Sequence, residues 1–289
     1  MPQSPGAKFR VALQSAPLMV PGVFNAFVAK MAERIGFQAA YQSGAVVSAG
    51  ITGVPDIGLV NQVEFADQAR LLTQAVEIPV ISDADTGFGE ALAVERTVQL
   101  FESVGLAGLH LEDQILPKRC GHLSGKTLVS KEEMVGKIKA AVAAKRDPDF
   151  VIIARTDARS VNDLADALAR SKACADAGAD MIFPEALESK EEFERFANEI
   201  DVPLMANMTE FGKSPLFTVE ELDQMGYKAV LFPVTVFRQA MKAAEDGLKT
   251  VFENGTQKSL LDKMQTRAEL YDYLDYEGFQ NRDRSYFGS

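Results

Sequence analysis

The chain has 289 residues, 47% of them hydrophobic, no tryptophan, and a formal net charge of −11. That length suits one large α/β domain with an ample core, and the acidity argues against nucleic acid or an anionic membrane surface as a partner, since both select basic patches. Cys120 and Cys174 are too few for a disulfide framework, no signal peptide or membrane-length apolar span is expected, and a cytoplasmic enzyme is the working expectation.

Residues Met1–Arg10 are polar with two prolines and are expected on the surface. From Leu18 onward a short apolar run, a polar turn and a helical stretch recur. The strand candidates are Leu18–Val20, Ala39–Gln42, Val80–Ser82, Gly108–Leu111, Val151–Ala154, Met181–Phe183, Leu204–Ala206 and Ala229–Phe232. Helical patterns fall near Asn25–Ile35, Gln62–Val76, Ala91–Val104, Lys131–Lys145, Asn162–Ala177, Lys190–Glu199, Val219–Met225 and Phe237–Phe252. Fully apolar strands alternating with amphipathic helices predict a parallel sheet covered by helices. Eight such units over roughly 240 residues predict an α/β fold closed as a (β/α)8 barrel. No G-x-G-x-x-G follows the first strand, which weakens a dinucleotide-binding alternative. The tail from Asn254 to Ser289 is polar and aromatic by turns, and reads as a docking extension of one barrel domain spanning 1–289. Cys174, in an alanine-rich run, and His110, within a strand, are expected in the core.

In such a barrel the reacting groups sit at the C-terminal ends of the strands. Those positions read Ser43-Gly44, Asp83 with Asp85, Glu112 with Asp113, Arg155 with Asp157, Glu185, and Asn207 with Thr209. Any one of these suits a helix cap or a turn; their recurrence points to an active site. Asp83 and Asp85, at i and i+2, can face one side of an extended segment, with Glu112 from the next strand beside them. Hard oxygen donors without histidine or thiol select Mg2+, with Mn2+ possible, over zinc. Arg155, Arg238 and Arg267 are candidate clamps, because guanidinium pairs two-fold with carboxylate. The stretch Lys118–Lys126, KRCGHLSGK, gathers a thiol, a histidine and three further basic residues around two glycines. Cations favour thiolate, so Lys118, Arg119 and His122 are expected to acidify Cys120 on a mobile loop.

Together KRCGH, SDADTGFG, LHLEDQ, ARTDA, FPEA, NMTEFG and GTQKS with MQTR resemble the isocitrate lyase and phosphoenolpyruvate mutase superfamily, from about Ser4 to Tyr276. The mutase and decarboxylase relatives lack the loop cysteine, and isocitrate lyases are much longer. The resemblance implies a carbon–carbon lyase cleaving (2S,3R)-2-methylisocitrate to pyruvate and succinate in propionate breakdown. It implies Asp83 and Asp85 on Mg2+ with Glu112 in support, and Ser43, Gly44 and Ala45 around the pyruvate part, Ala45 standing where the family carries glycine. It further implies Cys120, Gly121, Arg155, Glu185, Asn207, Met208, Thr209, Arg238 and Arg267 around the rest of a tricarboxylate substrate. An eighth helix exchanged between subunits and a homotetramer follow from the same resemblance.

Retro-aldol chemistry suits these residue types in its own right. A metal steadies the alkoxide, Arg155, Arg238, Asn207 and Thr209 receive the succinate dianion, and Cys120 can protonate the carbanion. Tyr41, two residues before Ser43, or a water on the metal is the candidate base. Two other readings are a Mg2+-dependent 2-oxoacid decarboxylase or phosphonate mutase, against which Cys120 argues, and a non-catalytic dicarboxylate sensor, against which the complete acid set argues.

Overall fold

In a computed structural model, residues 3–15, 17–119, 121–123 and 125–287 are described; the assignments made to Cys120 lie outside them. Eight strands run in parallel: β1 (Leu18–Pro21), β2 (Ala40–Gln42), β3 (Val80–Asp83), β4 (Gly108–Glu112), β5 (Val151–Thr156), β6 (Met181–Pro184), β7 (Met205–Asn207) and β8 (Ala229–Phe232). They pair as β2-β3-β4-β5-β6 and β1-β8-β7. Single bridges between Gly22 and Tyr41 and between Ile182 and Leu204 close both seams. The Val23 amide donates to Tyr41 O at 2.9 Å and the Ile182 amide to Pro203 O at 3.0 Å. The sheet therefore closes on itself as a (β/α)8 barrel, and all eight predicted strands are present.

The helices are α1 (Pro5–Gln14), α2 (Ala26–Ile35), α3 (Gly44–Val47), α4 (Gln62–Thr73), α5 (Ala91–Ser103), α6 (Lys131–Ala144), α7 (Ala158–Val161), α8 (Leu164–Asp176), α9 (Lys190–Glu199), α10 (Val219–Gln224), α11 (Thr235–Asn254), α12 (Arg267–Tyr273) and α13 (Tyr276–Phe287). Their starts are written in the sequence. Asn25, Asn61, Ser130, Asp163, Ser189 and Thr218 each accept a hydrogen bond from a backbone amide of the first turn, satisfying a donor that the helix itself leaves open.

Alternation along the strands divides the core in two. Leu18, Val20, Tyr41, Ile81, Val151, Ile153, Met181, Phe183, Met205 and Leu231 pack together inside the barrel. Val80, Leu109, Leu111, Ile152, Ile182 and Val230 belong to the outer cluster, with helix residues such as Phe65, Phe101, Ile138 and Phe196. Because strand side chains alternate with period two, the same phase that turns Ile81 inward also turns Asp83 inward, one pleat nearer the C-terminal mouth.

The N-terminal segment departs from the surface expectation. Pro5 stands in the first turn of α1 behind the Ser4 cap, a position where proline starts a helix rather than breaking one. Phe9 is fully buried within the inner cluster. Arg10 ties the helix down through Asp149 O at 2.9 Å and Asp180 Oδ1 at 2.7 Å.

The chain divides into two compact units, Met1–Thr235 and Val236–Ser289. The first contains the barrel strands. Within the second, α12 and α13 pack on each other, Tyr271 and Tyr276 stack with ring centroids 4.7 Å apart, and Arg282 lies 4.4 Å over the Phe279 ring. No helix among the described residues is long and apolar enough to cross a membrane.

Phe9→Ala should leave a cavity among Leu18, Val151 and their neighbours and cost about 3–5 kcal/mol, the usual range for a buried phenylalanine. Urea titration followed by circular dichroism checks this; a loss within about 0.5 kcal/mol, as for an ordinary surface substitution, would mean that α1 is dispensable.

Candidate active site

Strand register brings the charged residues together. Asp83 is opposite His110, Glu112 opposite Arg155, Arg155 opposite Phe183, and Asn207 opposite Leu231. Glu185 follows β6, and its amide donates to Thr156 O at 3.0 Å. All of these except His110 and Thr156 line a small cavity of about 60 Å³, together with Tyr41, Ser43, Ala45, Asp56, Lys118, Gly121, His122, Thr209 and Pro233. That is room for about two waters, so a tricarboxylate must displace side chains that here pair with each other.

One side of the cavity is carboxylate. Asp83 Oδ1 accepts from the Asp85 amide at 2.8 Å and Oδ2 from the Gly44 amide at 3.2 Å. A Cβ on residue 44 would sit 2.6 Å from Asp83 Oδ2, so glycine is required there. Asp85 is left-handed, with φ of 46°, so the two aspartates are set by a tight turn and not by the extended segment that i, i+2 spacing suggested. Burial pushes Asp85 up to about 7, with Asp83 and Asp56 adding to the rise and Lys118 opposing it. Burial likewise raises Glu112 well above the usual carboxylate range, against the pull of Arg155 and Lys118. Asp83 goes the other way: despite burial, His110, Lys118 and Arg155 hold it low.

This side fits a hard divalent cation by an observation independent of spacing. Glu112 Oε1 is buried without a partner, and Glu112 Oε2 and Asp85 Oδ1 are buried with only an ion pair each, to Arg155 Nη1 at 3.3 Å and Lys118 Nζ at 2.7 Å. Buried carboxylate oxygens are otherwise satisfied, and a cation would answer both the missing partners and the crowding of like charge. The side chains do not enclose an ion by themselves, since no group of three or more ligating residues in metal-holding geometry occurs among the described residues. That matches Mg2+, which keeps several waters and takes further ligands from substrate.

The other side is organised by Arg155. Its Nη1 lies 3.3 Å from Glu112 Oε2, Nη2 3.4 Å from Glu185 Oε2, and Nε 3.1 Å from Asp157 Oδ2. The guanidinium also covers the Phe183 ring at 5.3 Å. Burial opposes the Glu185 charge, but Arg155, with His122 and Asn207, brings its carboxyl down to about 2. Asn207 Nδ2 is 3.2 Å from both Glu185 oxygens. His122 Nδ1 accepts from the Lys213 amide at 2.9 Å, which leaves Nε2 as the protonated nitrogen, 2.9 Å from Glu185 Oε1 but off the line of a good hydrogen bond.

Tyr41 is 3% exposed and its hydroxyl is 2.8 Å from His110 Nε2. Burial and then Asp83 push its phenol well above its ordinary value. A phenol raised in this way is a better donor than base, which tells against Tyr41 as one of the two candidate bases, the other being a water. His110, lowered by burial to about 4 despite Asp83, is a neutral hydrogen-bonded core residue, as expected.

Of the other sequence candidates, Ser43 and Gly44 begin α3 beside Asp83, with no hydrogen bond from the Ser43 side chain to the helix, and Ala45 and Thr209 line the cavity. Met208 does not: its sulfur accepts from the Phe217 amide and its side chain joins the outer cluster. The strand phase that points Asn207 inward points its neighbour outward. Arg238 on α11 and Arg267 at the start of α12 belong to the second unit. Lys118, one of the residues expected to acidify Cys120, and Lys126 of the same loop both pair with carboxylates. Lys118 is 2% exposed and pairs with Asp56 and Asp85; Lys126 pairs with Asp157 at 2.7 Å. Sequence reasoning missed Asp56, a loop acid with no periodic signal. It also took Asp157 for a possible cap, whereas its carboxylate makes no bond to α7.

Residues 9–252 match the family model described as phosphoenolpyruvate phosphomutase. A 2-methylisocitrate lyase of Aeropyrum pernix is 50% identical over 97% of this chain and 91% of its own. One of Shewanella oneidensis is 47% identical over 98% and 97%. Among solved structures, oxaloacetate acetylhydrolase in complex with 3,3-difluorooxalacetate superposes with a TM-score of 0.91 at 35% identity, covering 99% of this chain and 98% of that one. Phosphonopyruvate hydrolase in complex with oxalate and Mg2+ gives 0.88 at 28% identity, covering 99% and 100%. By sequence along almost its whole length and by fold, the chain belongs to the phosphoenolpyruvate phosphomutase family, in the branch of the 2-methylisocitrate lyases.

Proposed function

We propose that the protein is a carbon–carbon lyase that cleaves (2S,3R)-2-methylisocitrate to pyruvate and succinate in the methylcitrate route of propionate catabolism. The observation that carries this reading is the division of one cavity into a carboxylate side with unsatisfied oxygens and an arginine-centred side. A substrate that splits into a 2-oxoacid and a dicarboxylate needs both.

In the reaction the bond between the hydroxyl-bearing carbon and its neighbour breaks. The hydroxyl passes its proton to a water and becomes the pyruvate carbonyl, and the electron pair stays on the neighbouring carbon, beside a carboxylate of the nascent succinate. Asp83, Asp85 and Glu112 would hold Mg2+, or Mn2+ in its place. That ion supplies Lewis-acid stabilisation of the oxygen on the pyruvate half. Gly44 and Asp85 amides fix Asp83 so that it needs no reorganisation when substrate arrives. Ser43, Gly44 and Ala45 border the pyruvate half, and Tyr41, held protonated by its surroundings, donates toward that side.

Arg155 exchanges its contacts with Glu112 and Glu185 for a substrate carboxylate, supported by Asn207 and Thr209, with Arg238 and Arg267 as further clamps. Glu185 then retains Asn207 and His122. Gly121 passes close over this pair, since a Cβ there would lie 2.6 Å from Arg155 Nη2. Cys120, the residue before Gly121 in sequence, would protonate the carbanion with its thiol. Thiol chemistry of this kind accords with a reducing, cytoplasmic setting. Exposed apolar residues on α11, among them Leu248 and Phe252, support exchange of that helix between the subunits of a homotetramer, with residues 254–289 as its docking extension.

Purified enzyme given methylisocitrate and Mg2+ should release pyruvate and succinate in equal amounts, lose turnover in EDTA, and be sized by light scattering as four chains. Asp85→Ala should abolish the metal-dependent rate, and excess metal should restore at most part of it. Full activity in EDTA, or turnover of oxaloacetate in preference to methylisocitrate, would reject the assignment.

Cys120→Ser should preserve the fold while lowering kcat by roughly 10²- to 10⁴-fold, the contribution of a positioned proton donor. Cys174, buried behind the barrel, is the control: Cys174→Ser should change stability and not kcat. A Cys120 variant keeping more than about a tenth of the wild-type kcat is incompatible with that role.

Phe183, Leu231 and Pro233 form the apolar wall of the cavity, and no tryptophan occurs in the chain to fill it. One methyl group in such a site is worth roughly 10- to 200-fold in kcat/KM, so methylisocitrate should be preferred over isocitrate by that factor. Phe183→Trp should narrow the preference. Equal kcat/KM values for the two substrates in the wild type would remove the assigned specificity but not the lyase chemistry.

A further inference from the structure

The two faces of the barrel wall carry different halves of one network. Glu112 and Arg155, opposite each other in the ladder, turn into the mouth. The residue after each, Asp113 and Thr156, turns outward toward the helix layer, because strand side chains alternate with period two. There Asp113 Oδ2 accepts Thr156 Oγ1 at 2.8 Å, and Oδ1 accepts the Asp157 amide at 2.9 Å. Thr156 Oγ1 in turn accepts the Ala158 amide at 3.2 Å. One carboxylate thus ties down the turn that follows β5.

Asp113 is fully buried, and its counter-ion comes from outside the sheet. Arg170 of α8 places Nη1 3.3 Å from Asp113 Oδ2 and 2.8 Å from Val129 O, while its Nε donates to Asp166 Oδ2 at 2.8 Å. Arg170 is itself buried, so these acceptors stand in for water. On the inner face of the same turn, Asp157 Oδ2 receives Arg155 Nε at 3.1 Å and Oδ1 receives Nη2 at 3.4 Å. Oδ1 also receives Lys126 Nζ at 2.7 Å. Two buried carboxylates set back to back repel each other unless each has a cation of its own. Arg155 and Lys126 face Asp157; Arg170 faces Asp113.

We infer that Arg170, which lies outside the cavity, is a positioning residue for the substrate clamp: it holds Asp113 on the turn after β5, and that turn sets the Asp157 carboxylate that aims the Arg155 guanidinium. A guanidinium fork pairs two-fold with a carboxylate only when its plane is fixed. Asp157 fixes that plane by holding the Nε edge, which leaves Nη1 toward Glu112 and Nη2 toward Glu185. Without Arg170, Asp113 is a buried charge that has lost its cation, and the turn loses its fixed anchor. The carboxylate side is held separately, by the Gly44 and Asp85 amides, so the effect falls on the arginine side alone. This rests on the reading of Arg155 as the clamp for a substrate carboxylate.

The test uses the full-length protein with Arg170→Met, Arg170→Lys and Thr156→Val, and with Cys174→Ser, one turn further along α8, as the control. Succinate inhibition of pyruvate release should weaken about tenfold in Arg170→Met, the factor that loss of one charge-assisted hydrogen bond gives. The kcat/KM for methylisocitrate should fall by a similar factor, mostly through KM, because the clamp is misaligned for bound substrate and transition state alike. Mn2+ binding to the free enzyme, followed by electron paramagnetic resonance, should keep its wild-type affinity. Hydrogen exchange should rise across residues 155–160 and not across 83–88. Arg170→Lys, which keeps the charge, should recover most of each effect, and Cys174→Ser should move the thermal midpoint alone. Thr156→Val removes a different support of Asp113 and leaves α8 intact. It should weaken succinate inhibition too, and the double variant should show less than the product of the two changes, since both act through one carboxylate. If Arg170→Met does not fold, Thr156→Val carries the same measurements. A lower thermal midpoint with succinate inhibition, KM and exchange at 155–160 unmoved would overturn the inference, as would a loss of Mn2+ affinity equal to the loss of succinate inhibition. Faster exchange at 155–160 in a protein that neither turns over methylisocitrate nor binds succinate would keep the positioning role and reject the substrate assignment instead.

Discussion

The Arg155 guanidinium is the charge around which the rest of the site is arranged. It is buried at the C-terminal mouth of the barrel, within ion-pair distance of Glu112, Asp157 and Glu185. Removing such an ion from water costs several kcal/mol unless good partners replace the solvent. Three carboxylates on three different strands or strand ends supply that replacement, and each is constrained in turn. Asp157 is backed by Asp113, Glu185 by Asn207, and Glu112 by its place opposite Arg155 in the ladder. Arg155→Lys would keep the charge but not the fork that reaches several partners at once.

That arrangement explains why the cavity is small. The arginine and its carboxylates satisfy one another where a substrate would satisfy them instead. On the proposed reading, a polyanionic substrate with its metal would offer Arg155 a new carboxylate and Glu112 and Asp85 a cation, so charges would be exchanged rather than newly buried. The cost of desolvation is met during folding, before the substrate arrives. Preorganised charge of this kind is the largest contribution most enzymes make to their reactions.

The two halves of the site are held by different means. The carboxylate half is fixed by backbone amides in tight turns, at Gly44 and Asp85, which gives little room for adjustment. The arginine half is fixed by side chains, and one of those, Lys126, comes from a loop whose described residues form no helix or strand beyond its base. His122 joins the same loop to the segment around Lys213 through its backbone amide, so two loops meet over Glu185.

The sequence by itself determined the barrel, because eight apolar runs separated by amphipathic helices have few other ways to bury both faces of a parallel sheet. It also determined most of the acids and Arg155, because the polar residues ending those runs must face the mouth. It did not determine α1, where Pro5 marks a helix start that polarity concealed, nor the outward turn of Met208, which follows from a strand phase that three residues are too short to declare. Only the tertiary structure decided which charges pair. Lys118 with Asp56, Lys126 with Asp157 and Arg170 with Asp113 join residues 62, 31 and 57 positions apart, and nothing local distinguishes a buried lysine from a solvated one. Burial, which alone decides whether a loop lysine is paired or solvated, is a property of the folded chain.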